Sequence, residues 1–377
     1  MELMQFTAVV LLTLLMLKLL LLPRRVAVNP VAGTARWLMV VGIILLDIQF
    51  LLQFSLGLRD MGVTQAVLVN LVLFIPASWT MSLAVICLQQ QGRVSRIDKL
   101  VGGVVWTVAL VLLGMAVAID GQPLLSDSPE LHWAEVTASV CYLAMQGHYV
   151  YKQIVNLRSM RSALQDYYDS DMDDMLRWMK LSVMVLMVLA VMVPLFIFVE
   201  SKGLALFGIL FFGGIFFLVD SFCGYVASSS LKKVSVAEEN RDREDEERSC
   251  IDGEQSTSSS VSELTADVLQ HVEGAVNRWI DHGGYRLSGV NMPSAAEAIG
   301  IPRYQLSAWL RHKGLTYANW MTDLRIEEAQ RVIKEHPDWS NEAVSVHCGF
   351  TDRTYFQRKF KEKTGFTPSK YSHAEAV

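Results

Sequence analysis

The stretch Gly349-Phe350-Thr351-Asp352-Arg353-Thr354-Tyr355-Phe356-Gln357-Arg358-Lys359-Phe360-Lys361 decides how the C-terminal part of this chain folds. Gly349 marks a turn, because glycine enters the left-handed backbone region without a Cβ clash. Thr351 is a cap candidate. The residues from Asp352 to Lys363 predict a helix with Phe356 and Phe360 one turn apart on its inner face. Upstream, Ser340 is a suitable N-cap for a short helix from Asn341 to His347. Short helix, glycine turn and longer helix make a helix-turn-helix unit.

Working outward, the same arrangement occurs once more. Pro293 to Ile299 predicts a short helix, Gly300 a turn, and Arg303 to Lys313 a second helix with Leu306 and Leu310 inward. The residues from Tyr317 to Glu335 join the two units, with Trp320, Met321, Leu324, Ala329, Val332 and Ile333 at helical spacing. Nineteen residues at a rise of 1.5 Å give about 28 Å, near the roughly 34 Å between successive major-groove faces on one side of DNA. A further helix near 265–281 ends before Gly283-Gly284.

The quoted stretch, continued by Gly365-Phe366-Thr367-Pro368-Ser369-Lys370-Tyr371, resembles the DNA-binding signature of AraC-type transcription regulators. Met321-Thr322-Asp323-Leu324-Arg325-Ile326-Glu327-Glu328-Ala329 resembles the start of that family's linker helix. The resemblance covers about 110 of the 377 residues. Two positions depart from it: Ser372 follows Tyr371 where arginine is frequent, and Pro302 stands where a small capping residue is usual. The resemblance implies promoter binding, activation more often than repression, and RNA polymerase as a partner.

Helix phase nominates the DNA-contacting side chains. With Phe356 and Phe360 inward, Thr354, Gln357, Arg358 and Lys361 face outward, and Arg353 sits at the N-terminal end. The matching set in the first unit is Arg303, Tyr304, Ser307, Ala308 and Arg311. Arginine suits guanine and glutamine suits adenine at major-groove edges. Lys359, Lys363 and Lys370 suit phosphates, which position without reading sequence.

The rest of the chain is of another kind. Overall it is 52% hydrophobic and 19% charged, with a net charge of −5. Residues 1–231 hold only 29 charged residues. Residues 232–263 hold 15 in 32, with 10 acidic, and end in a serine-rich run. Residues 264–377 have ordinary globular composition. This excludes a single soluble globular domain and a wholly disordered chain. The expected organisation is a transmembrane domain at 1–231, an acidic disordered linker at 232–263, and a DNA-binding domain at 264–377. The fold class is all-α.

Seven segments are candidates for spanning helices: 5–22, 37–57, 65–88, 100–119, 131–151, 178–199 and 203–226. The fifth is the most polar, with Glu135, Gln146 and His148. Lys and Arg number 10 in the loops 23–36, 89–99 and 152–177, against 2 in the loops on the other side. By the positive-inside rule this predicts a multi-pass protein of the bacterial inner membrane, with its N-terminus outside and its C-terminal domain in the cytoplasm. The first segment lacks a basic n-region and a cleavage site, so a retained anchor is expected.

Ionisable residues inside spans are costly and mark sites or pairings. Asp47, Glu135 and His148 are candidates for a polar pocket taking an unknown ligand. Lys18 and Asp220, near span ends, fit pairing or snorkelling better. Asp169, Asp171, Asp173 and Asp174 alternate like a calcium loop but lack its glycine and distal glutamate, so a solvated loop is expected. The five cysteines match no zinc spacing and no disulfide framework. No motif calls for a metal or a cofactor, and no paired carboxylates support an enzyme.

The expectation is therefore a membrane-embedded regulator that binds double-stranded promoter DNA, as a homodimer, under control of a signal at the lipid bilayer. Two alternatives stay open: a transporter-like membrane protein with a regulatory tail, and a membrane-stored regulator released by proteolysis in the linker.

Overall fold

The computed structural model describes residues 2–22, 30–57, 63–120, 128–169, 173–197, 204–227, 236 and 266–375. The linker 232–263 (Val236 apart), the basic residues Arg24, Arg25, Arg59 and Lys202, and Asp171 lie outside the described residues. Among the described residues the chain is helical, with one isolated β-bridge between Tyr168 and Asn291. Contacts divide the chain into two compact units. One comprises Met1–Ser159 and Leu176–Leu231, the other Met160–Met175 and Lys232–Val377.

The first unit contains α1 (Glu2–Leu20), α2 (Pro30–Leu56), α3 (Val63–Gln89), α4 (Arg96–Asp120), most of α5 (Pro129–Tyr167), α6 (Asp173–Ile197) and α7 (Leu204–Ala227). Each overlaps one of the seven segments expected from sequence. Five contain stretches long and apolar enough to cross a membrane: Pro30–Leu56, Val67–Gln89, Arg96–Ile119, Leu176–Val193 and Phe207–Ala227. Among the described residues the count of seven spans is thus not reproduced. The apolar part of α1, Gln5–Leu20, is shorter, and the 39 residues of α5 carry Glu130, Glu135, Lys152, Arg158 and Arg161. Many apolar side chains of this unit point outward, including Trp37, Leu100, Val104, Ile119 and Ile209.

Polar contacts join these helices to one another. Lys18 of α1 pairs with Asp220 of α7, in line with the pairing expected of them. Asn70 of α3 accepts from the amides of Gln49 (2.8 Å) and Gln53 of α2. Trp106 of α4 donates to the Val72 carbonyl at 2.9 Å. Gly102 of α4 is the seat of the Trp79 ring, and any side chain there would collide with the indole.

The second unit contains α8 (Ala266–Asp281), a 3-10 turn at Gly284–Arg286, α9 (Met292–Ile299), α10 (Arg303–His312), α11 (Tyr317–Glu335), α12 (Asn341–His347), α13 (Arg353–Thr364) and α14 (Pro368–Glu375). It has two cores. Val272, Val276, Trp279, Leu306, Trp309 and Leu310 pack with Tyr317, Trp320 and Met321. Val344, Phe350, Phe356 and Phe360 pack with Ile326, Ala329, Val332 and Ile333. The helix α11 is the spine of both: its first half belongs to one core and its second half to the other.

Candidate nucleic-acid interface

Local sequence explains each helix end. Asn291 caps α9, accepting from the Ser294 amide, while Ser294 Oγ accepts from the Asn291 amide, a capping box. Gly300 then turns at φ 82°. Helix α10 begins after Pro302, which offers no side-chain cap. In the second unit Ser340 Oγ accepts from the Ala343 amide at 3.1 Å, as expected. The cap of α13 is Asp352, whose Oδ1 accepts from the Tyr355 amide at 2.5 Å. Thr351, the cap suggested by sequence, precedes it. The ionised acceptor at Asp352 also complements the helix dipole. Gly365 closes α13 at φ 80°.

On α13 the rings of Phe356 and Phe360 are fully buried, 5.7 Å apart edge to face. Arg353, Thr354, Arg358 and Lys361 are exposed, and Gln357 is half-buried. The structure thus brings these five together on the accessible side of one helix. The Arg358 guanidinium lies 5.5 Å over the Tyr355 ring, and Arg353 lies 3.6 Å from Glu342. Two lysines expected to serve phosphates have carboxylate partners: Lys359 with Glu362 at 2.9 Å and Lys363 with Asp323 at 2.6 Å. The ammonium of Lys359 holds the Glu362 carboxyl below its usual range.

The first helix-turn-helix unit is different. Arg303 and Tyr304 on α10 are half-buried and Arg311 is exposed. Ser307, expected outward, is buried, and its Oγ accepts from Arg311 Nη2 at 2.8 Å. The contact surface of α10 is therefore narrower than that of α13.

Two buried ion groups are centred on α11, at Arg325 and Glu328. Arg325 is only 2% exposed; its Nε donates to the Tyr285 carbonyl at 2.9 Å and its Nη2 to the Leu287 carbonyl at 2.8 Å. Its carboxylate partner is Asp169, at 2.8 Å. The acidic cluster around Asp169 was expected to be solvated, yet Asp169 is 4% exposed and ion-paired. Glu328 sits among Arg286 (2.7 Å), Arg331 (2.8 Å), His347 (3.8 Å) and the Tyr285 hydroxyl (3.2 Å). Burial pushes its carboxyl up, but the hydrogen bond from Arg331 and the charge of Arg286 outweigh that and hold it below the usual range. Sequence reasoning gave Glu328 and Tyr285–Leu287 no role; the lone signal was a charged residue amid the apolar spacing of α11.

The polar-pocket candidates in the first unit have separate partners. Asp47 Oδ2 accepts from Thr13 at 3.2 Å. Glu135 is fully buried on α5. His148 Nε2 lies 3.1 Å from Asp98, which Lys152 also approaches at 3.6 Å. Glu135 and His148 are 13 residues apart on one helix, about 20 Å along its axis. One small ligand cannot touch both. No group of His, Cys, Asp and Glu suited to a metal occurs among the described residues.

Comparison with known proteins agrees with this geometry. Residues 295–374 match the family described as helix-turn-helix domain. The HTH-type transcriptional activator RhaR of Salmonella arizonae is 37% identical over 60 residues, 16% of this chain and 21% of the relative. The RhaR proteins of Salmonella paratyphi B and Salmonella newport match to the same extent. The chain thus spans about a fifth of the length of these curated relatives. No solved structure matches it. The double unit of α9–α10 and α12–α13 on the spine α11 is an AraC-type helix-turn-helix domain.

Proposed function

We propose that this chain is a membrane-embedded transcription regulator that binds promoter DNA through its second unit. The carrying observation is α13: Arg353, Thr354, Gln357, Arg358 and Lys361 lie on the accessible side opposite Phe356 and Phe360. A helix of this size fits the major groove, where arginine and glutamine read base edges. Helix α10 adds a second, smaller contact through Arg303, Tyr304 and Arg311. The activator named among the relatives supports promoter binding and RNA polymerase as a partner.

The first unit embeds the protein in the bacterial inner membrane, with the N-terminus outside and the second unit in the cytoplasm. Five apolar helices and the lysine and arginine bias of the loops support this. It receives a signal, with Asp47 or Glu135 as the polar group that a ligand would meet, and the protein works as a homodimer. A ligand that moves the DNA-competent state from 1% to 99% needs about 5.5 kcal/mol of differential binding.

Crosslinking of the tagged full-length chain to DNA in living cells, followed by sequencing, tests the reading. Discrete enriched sites are expected for the wild type and their loss for Arg358→Ala at equal protein level. A flat profile for the wild type sinks the proposal.

A further inference from the structure

A helix that joins two DNA-reading units fixes their separation, but bending and twisting along it leave their mutual angle loose. Here a second connection exists. Tyr285 belongs to the core of the first helix-turn-helix unit. The next residue, Arg286, lies against the turn of the second. Gly349 stands at that turn with φ 83°, and a Cβ on it would come within 2.5 Å of the Arg286 carbonyl oxygen. This glycine therefore has two duties, a left-handed turn and a close backbone approach.

The contact is closed from the α11 side. Glu328 takes the Tyr285 hydroxyl and the Arg286 guanidinium at 3.2 and 2.7 Å. It also faces His347 of α12 at 3.8 Å. Arg325, one turn earlier, holds the carbonyls on either side of Arg286. One buried carboxylate thus touches both helix-turn-helix units and the spine between them. Burying a charge seldom adds net stability, and its best-attested use is to fix register.

We propose that Glu328 is a positioning residue: with Arg286 and Gly349 it clasps the two helix-turn-helix units at one angle and so sets the spacing between the two DNA half-sites the protein accepts. Glu328 touches no DNA in this arrangement. The inference rests on the DNA-binding reading above.

The test is selection from a random duplex pool by the full-length chain in lipid nanodiscs. The wild type is expected to return two half-motifs for each protomer, at a single spacing of about one helical turn. Glu328→Gln keeps the size of the side chain and removes its charge. It should return the same half-motifs spread over several spacings, with about tenfold weaker binding to the wild-type site and unchanged binding to a single half-site. A merely structural role would weaken whole site and half-site alike without changing the spacing. Arg286→Met, which alters a partly exposed side chain, should broaden the spacing in the same way and serves if Glu328→Gln does not fold. One unchanged spacing in the folded variants overturns the proposal. A wild-type motif with one half-site also overturns it and leaves DNA binding standing, whereas no motif at all overturns the functional reading itself.

Discussion

The carboxylate of Asp169 lies 2.8 Å from the guanidinium of Arg325, and both side chains are buried. They are 156 residues apart in sequence. Arg325 also donates from Nε to the Tyr285 carbonyl and from Nη2 to the Leu287 carbonyl. Removing Asp169 leaves a cation in the interior with neutral acceptors alone. Breaking one side of a buried pair costs about 3 kcal/mol or more. Asp169→Ala should therefore raise amide hydrogen exchange across α11 in the full-length protein in nanodiscs, and Asp169→Glu should partly restore protection. Unchanged exchange would show that the pair carries no stability.

Base reading and phosphate contact separate by salt. Arg358→Ala should weaken binding to the selected DNA by about 1–3 kcal/mol and relax preference at one position. Lys361→Ala should weaken binding to all sequences and lower the salt slope by about 1. Titrations at several salt concentrations measure both. Equal loss of preference in the two variants would mean that the roles are misassigned.

Acid should loosen the second unit through Glu328. Its folded carboxyl titrates below its ordinary value of 4.5. The stability it contributes is therefore complete above about pH 4.5 and is lost as the pH falls through the lower folded value. Thermal unfolding between pH 7 and pH 3 should show a steeper acid loss for the wild type than for Glu328→Gln. Parallel curves would remove Glu328 from the acid response.

Cys348 is fully buried, and burial pushes its thiol up to about 12. The thiolate is the reactive form, so iodoacetamide at pH 8 should leave Cys348 unmodified in the native protein and label it after unfolding. Peptide mass spectrometry reads the difference. Fast native labelling would mean that this core opens readily.

Much of the second unit is legible because its signals are local. Phe356 and Phe360 set the phase of α13, Ser340 and Gly349 mark its approach, and Arg353, Thr354, Arg358 and Lys361 emerge exposed as that phase requires. Thr351 and Asp352 are both good caps, so the one-residue difference there depended on backbone geometry. Ser307 has the outward phase of its helix but is covered by Arg311, which phase alone does not reveal. Asp169 was illegible for a stronger reason. An aspartate among aspartates reads as solvated, and its partner lies 156 residues further along the chain, beyond α6 to α10. The polar residues within the apolar segments stand out by type, but which helix each one meets is a tertiary fact.

The pairing of Asp169 with Arg325 bears on how portable the C-terminal domain is. The unit that carries α13 draws on two stretches of chain, Met160–Met175 and Lys232–Val377. Grafting the C-terminal stretch alone onto a different N-terminal domain, or cutting it free, transplants Arg325 without its counter-ion. A working chimaera has to carry the Asp169 segment along with the domain it completes.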